Sequence, residues 1–322
     1  MNLSSELFPR FAALLDAAKA KLLRPEKFME LGALTLIILI AVYIAIGEFS
    51  GTVNNTDLNV TAPPGGSLII EKMARGIERE LKSSGWAPSG SPFLPYHIRF
   101  DITGFQEGVQ QVMIKLAQQA NNHFTREGAS SGVNVHISAA LNNLNRDNVW
   151  SIFPANSTAD QYRKAVAHLD AFNKNLSEGK ASFDPRIDTL SALTSDLAGV
   201  IGDEYTRLNQ TANTADIFSL TAREQFYHNL GVLAATCWAF QGMRADYDSV
   251  IKLQATPQVF DQAEKSACAT LNVNPAVVLN GSGYGWAGSN LRTLLGDEAK
   301  LLNDLSTFQS SLAAGSGARA HP

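Results

Sequence analysis

Hydrophobic positions change their period along this chain, and the first change is the largest. From Leu31 to Gly47 the sequence reads LGALTLIILIAVYIAIG, an uncharged run in which Leu, Ile and Val occupy every face of a helix. A surface helix of a globular domain has one apolar stripe and cannot hide a full collar. Phe28 and Met29 extend the stretch just past Glu30 to roughly 20 residues of helix, close to the ~30 Å of a hydrocarbon core. It predicts a transmembrane anchor over residues 28–48, with a buried core helix as the rival reading. Upstream, Leu3, Leu7, Phe11, Leu14, Ala18 and Leu22 recur at helical spacing. Residues 1–27 therefore read as an amphipathic segment, lying along the membrane surface or packed on a partner.

Downstream the pattern becomes that of a folded domain. Residues 49–66 are rich in Gly, Pro, Asn and Thr without periodicity and read as a linker. Ser67 can cap a helix through LIIEKMARGIERELKSS, which Gly85 would end. Tyr96, Ile98, Phe100 and Ile102 alternate with polar residues, as do Val133, Val135 and Ile137, so two short strands are expected beside the helical stretch Phe105 to Arg126. Ser157 and Asp160 open a helix over 158–178; Asp184 and Pro185 open another, carrying Ile187, Leu190, Leu197, Ile201, Tyr205 and Leu208. Thr221 and Glu224 form a capping box ahead of Phe226, Leu230, Leu233, Cys237, Phe240 and Tyr247. The uncharged stretch Asn229 to Met243 is too short for a second span and reads as the central helix. Thr256 and Pro257 start a shorter helix towards Leu271, and Leu291, Leu294, Leu301, Leu305, Phe308 and Leu312 mark a C-terminal helix before a disordered tail, 314–322. The expected fold is mainly α: an N-terminal transmembrane helix followed by an antiparallel helical bundle over 67–313 outside the cytoplasm, with room for two short strands.

Charge sets the direction. Arg10, Lys19, Lys21, Arg24 and Lys27 precede the span, and no Lys or Arg follows until Lys72, which places the N-terminus in the cytoplasm. Ala45 and Gly47 would suit a signal-peptide cleavage site, but the region ahead of the span is too long for one. A formal charge of -4 announces no basic face, so nucleic acid is not expected as a partner. Cys237 and Cys268 lack zinc-site spacing; both fall in predicted helices and are expected to be two unpaired thiols, with a single disulfide closing a loop of about thirty residues as the alternative.

Candidate chemistry is sparse. Glu224 and His228 stand four apart on one helical face without a third ligand, so neither a metal nor a cofactor is expected. No Walker loop, HExxH or nucleophile elbow is present. The distinctive segment is the loop Asn280, Gly281, Ser282, Gly283, Tyr284, Gly285, Trp286. Its amides ahead of a helix suit an anion; alternatively, Tyr284 and Trp286 plug the bundle against the Phe226 to Tyr247 helix. LNGSGYG at Leu279 to Gly285, the helix after it and the N-terminal anchor resemble a family of bacterial membrane-anchored proteins known as domain of unknown function 2333. That resemblance implies an inner-membrane envelope protein and carries no activity or catalytic residue. The reading carried forward is a non-enzymatic interaction or scaffold domain in the periplasm, whose partners are the lipid bilayer and a membrane or periplasmic protein. The alternative is an envelope hydrolase or ligand-binding domain using the NGSGYG loop.

Overall fold

The structure is a computed structural model, and it describes residues 25–49, 53–83, 85–91, 100–124, 134–151, 157–254, 257–275, 277–281 and 290–317. These residues form α1 (Pro25–Phe49), α2 (Leu68–Ser83), α3 (Phe100–Gln119), α4 (Val135–Leu144), α5 (Thr158–Ser177), α6 (Ile187–Thr214), α7 (Leu220–Asp246), α8 (Asp248–Gln254), α9 (Pro257–Ala267) and α10 (Asn290–Gly317). The expected helical bundle is present, centred on α7, in which every residue from Asn229 to Phe240 is buried. Packed around α7 are α3, α2 and α6; α10 lies on α6 and α9, and α5 covers α2 and α4.

Glycine lets the two innermost helices touch. A Cβ on Gly108 of α3 would lie 2.1 Å from the carbonyl oxygen of His228, and one on Gly231 of α7 would lie 2.1 Å from that of Phe105. Gly104, one turn earlier on α3, faces the Glu224 carbonyl at 2.6 Å. On the α2 side of α7, Gly242 admits the Ile69 backbone, with the Ile69 Cα 2.8 Å from where a Cβ would be. Small residues at such crossings bring backbones closer than side chains otherwise allow.

Helix ends are tied together as well. Ser67 caps α2 as expected, its Oγ accepting from the Ile70 N–H at 3.2 Å. The Asp246 carboxylate, from the far end of α7, accepts from the Leu68 and Ile69 N–H groups (2.8 and 3.0 Å) and from the Ser67 hydroxyl (2.6 Å). An acid at the C-terminus of its own helix is poorly placed, and the N-terminus of α2 supplies the compensating donors.

Several expectations are corrected. No strand occurs among the described residues: Phe100 and Ile102 begin α3, and Val135 and Ile137 begin α4. The Asn134 carboxamide caps α4, accepting from the His136 and Ile137 N–H groups, so Ile137 is buried while Val135 is 72% exposed. Residues 96–99 and Val133 lie outside the described residues. Ser219 rather than Thr221 caps α7, accepting from the Ala222 N–H. Helix α6 starts at Ile187, after Arg186, rather than at Pro185. The tail expected from 314 is helical as far as Gly317. Residues 53–58, expected within a linker, lie against the bundle: Val53 and Leu58 are buried, and the Asn55 amide donates to the Thr270 and Val273 carbonyls, both at 2.8 Å.

The thiols are likewise not free. Cys237 and Cys268 form a disulfide, because Cys268 sits just past the end of α9, where that helix brings its Cα within 4.8 Å of the Cys237 Cα.

Side chains of α1 are described from Met29 to Tyr43. Every residue from Met29 to Val42 is exposed, Leu31 at 61% and Ile37 at 62% among them. Among the described residues no helix is long and apolar enough to cross a membrane. Of the amphipathic segment expected over 1–27, residues 1–24 lie outside the described residues and 25–27 belong to α1.

Two measurements test this packing. Gly108→Ala should lower the melting temperature, because forcing two backbones apart costs about 1–3 kcal/mol or more and outweighs the ~1 kcal/mol that Ala gains over Gly in a helix. Gly199→Ala, at an exposed α6 position with nothing within 4 Å of the new Cβ, should raise it by the propensity gain alone. Separately, reducing the Cys237–Cys268 bridge, with its sequence separation of 31, should cost about 3–4 kcal/mol in denaturant titrations by the chain-entropy argument.

Candidate functional site

The glycine loop enters the structure through its first two residues. Asn280 and Gly281 are buried. The Asn280 amide donates to the Ala212 and Ala215 carbonyls at 3.2 and 2.9 Å, closing the C-terminal turn of α6, and its N–H donates to the Ile217 carbonyl at 3.0 Å. Leu279 and Asn290 pair across the loop: the Leu279 N–H donates to the Asn290 Oδ1 and the Asn290 N–H to the Leu279 carbonyl, both at 2.8 Å. These contacts hold the base of the loop to the ends of α6 and α10. Ser282, Gly283, Tyr284, Gly285 and Trp286 lie outside the described residues.

A second constellation, missed from sequence, lies inside the bundle. Glu204 of α6, Asn229 of α7 and Glu298 of α10 are each fully buried. The Asn229 amide donates to Glu298 Oε1 at 2.6 Å. Gln225 Nε2 donates to Asn229 Oδ1 (2.7 Å) and to Glu204 Oε2 (3.1 Å). Gln111 of α3 donates to Glu204 Oε1 at 3.1 Å and takes the His228 Nε2 at 2.9 Å on its own carbonyl oxygen. Arg207, more than half exposed, reaches Glu204 Oε1 at 3.0 Å and connects the chain of contacts to solvent.

Its inner end is incompletely satisfied. Glu298 Oε2 has no hydrogen-bond partner among the described residues. Burial, aided by the nearby Glu204 and Asp297 carboxylates and opposed by the Asn229 hydrogen bond, pushes the Glu298 carboxyl up to about 8. Burial likewise pushes the His228 imidazole below its usual range, against the pull of Glu204. The network can hold a proton on Glu298 at neutral pH, and the carboxyl that holds it is fully buried.

A signal for this network was available: Leu197, Ile201, Glu204 and Leu208 share one helical register, as do Leu294, Glu298 and Leu301, so each glutamate stands in a core position. Another pair missed is His136 of α4 and His168 of α5, with their Nδ1 atoms 3.3 Å apart. Among the described residues no group of three or more His, Cys, Asp or Glu is arranged to hold a metal ion. Glu224 and His228, the candidate pair at ligand spacing, do not join: the His228 ring turns to Gln111 and Glu204.

No family model matches the chain, and no curated protein or solved structure matches it.

Stability should report the Glu298 proton. Its folded value of about 8 lies above the ordinary 4.5, so the native state binds the proton more tightly than the unfolded chain. Stability is then highest below about pH 4.5 as far as this group is concerned, and falls by a few kcal/mol as pH rises through 8. Glu298→Gln keeps the shape and removes the titration, so thermal unfolding followed by circular dichroism should show the variant above wild type at pH 9 and close to it at pH 5.

Proposed function

We propose that this chain is a membrane-anchored envelope protein in which α1 spans the inner membrane and the bundle serves, outside the cytoplasm, as a non-enzymatic interaction or scaffold domain. The observation that carries the reading is the exposed collar of α1, whose Leu and Ile side chains face outward all round without a protein partner. Exposing that much contiguous apolar surface to water is unfavourable. The uncharged run from Leu31 to Gly47 covers about 25 Å of helix, and Phe28 and Met29, beyond Glu30, extend the apolar stretch towards the ~30 Å of a hydrocarbon core. Basic residues concentrated before the span favour a cytoplasmic N-terminus. The Cys237–Cys268 bridge fits an oxidising compartment. The resemblance of LNGSGYG to membrane-anchored proteins points the same way. A hydrolase reading needs an accessible nucleophile beside a base, and the strongly raised carboxyl on α10, Glu298, is closed off.

Alkaline phosphatase, which is active only outside the cytoplasm, should work when fused after Pro322 and fail when fused before Met1, with the full chain resisting alkaline extraction from membranes. Crosslinking in the native membrane should then capture a stoichiometric protein partner. The opposite fusion pattern, or release at alkaline pH, overturns the anchor.

A further inference from the structure

The described bundle has two unlike ends. At one, the 216–220 turn between α6 and α7 exposes Ile217, Phe218 and Leu220, and the segment after α9 exposes Val273 and Val277. The Asn280 N–H bond to the Ile217 carbonyl joins these two segments. The sequence has no Asp, Glu, Lys or Arg from Ser266 to Leu291, and Asp216 is the one charge in the turn. At the other end, the start of α6 and helix α8 carry the ion pairs Arg186–Asp188 and Lys252–Asp248.

The chain leaves α1 at the apolar end. Phe49 ends that helix, and Val53 is already fixed: the Asn274 amide donates to its carbonyl at 3.4 Å, and the Asn272 N–H donates to the Asn55 carbonyl at 2.6 Å. Between Phe49 and Val53 the backbone spans at most about 14 Å. Tyr227, two turns into α7, donates to the Pro275 carbonyl at 2.7 Å and locks the same segment to the bundle. A rigid domain on so short a tether has little freedom to present its charged end to the membrane.

We propose that the Ile217–Leu220 turn, together with Val273 and Val277, forms a lipid-docking face that rests in the interfacial layer of the bilayer at the point where α1 emerges. This rests on the anchor reading above. The exposed apolar side chains enter the headgroup boundary, and the charge-free stretch beside them leaves no Lys or carboxylate to desolvate there; Asp216 stays at headgroup level.

The test uses the full chain in phospholipid nanodiscs. Its native cysteines are bridged, so a single introduced thiol takes a nitroxide label. Four variants are labelled singly: Ile37→Cys, Phe218→Cys, Val277→Cys and Leu253→Cys, the last at the charged end and as exposed as Phe218, at 68%. Collision with oxygen reports lipid, and collision with a nickel chelate reports water. Oxygen access should dominate at Ile37, and chelate access at Phe218 and Val277 should fall several-fold below that at Leu253, with oxygen access rising. If both match Leu253 while Ile37 is in lipid, the anchor stands and the docking face is overturned. If Phe218 and Val277 lose access to both reagents, protein covers them and the lipid assignment is wrong. Chelate reaching Ile37 overturns the anchor and the docking face together.

Discussion

The crossing of α3 over α7 fixes the distances that the rest of the bundle must obey. With Gly104 and Gly108 set against the Glu224 and His228 carbonyls, and Gly231 against that of Phe105, backbone meets backbone. Such a contact has no rotamer to adjust, so it sets the register of Ile102, Phe105, Val109, Val112 and Leu116 against α7 within narrow limits. Helix α2 then enters from the other side at Gly242, and the Asp246 carboxylate pins its first turn. Because α7 is contacted on several sides, its apolar residues need not keep to one stripe, and from Asn229 to Phe240 they occupy every face.

Polar groups inside this frame are mostly matched to backbone. Gln106 serves the irregular 85–87 segment, its amide donating to the Gly85 carbonyl at 3.0 Å and its oxygen accepting from the Ala87 N–H at 2.8 Å. Glu80, almost fully buried, lies beside Arg79, whose guanidinium also stacks over the Trp238 ring at 4.4 Å. Desolvation raises the Glu80 carboxyl, and Arg79 opposes that rise. Burial raises the Glu298 carboxyl in the same way, the Glu204 and Asp297 carboxylates add to the rise, and the Asn229 hydrogen bond opposes it.

Long apolar registers made most of the helices legible in the sequence: α5, α6, α7 and α10 appear where Tyr162, Leu190, Phe226 and Leu291 begin their stripes. The strand expectation failed because three alternating residues also fit the first turn of a helix, and the Asn134 cap decided the matter for α4. Close approach of α3 and α7 leaves no apolar signature, since glycine contributes by lacking a side chain. The cysteine pair was illegible because its closure depends on how α9 folds back towards α7. Of the candidate loop, only the role of Asn280 and Gly281 as its fixed base is described, and nothing in its composition revealed that Asn280 would finish α6. The Glu204–Asn229–Glu298 chain was readable in principle, as polar residues occupying apolar registers.

The bridge between Cys237 and Cys268 makes α8, α9 and the final turns of α7 parts of one covalent ring. A protease cutting between those half-cystines would leave two polypeptides still joined, with α10 tethered to the rest of the bundle through sulfur. Damage there would become separation only on reduction, so the ring lets this part of the domain survive a nick that would release the C-terminal helix from an unbridged chain.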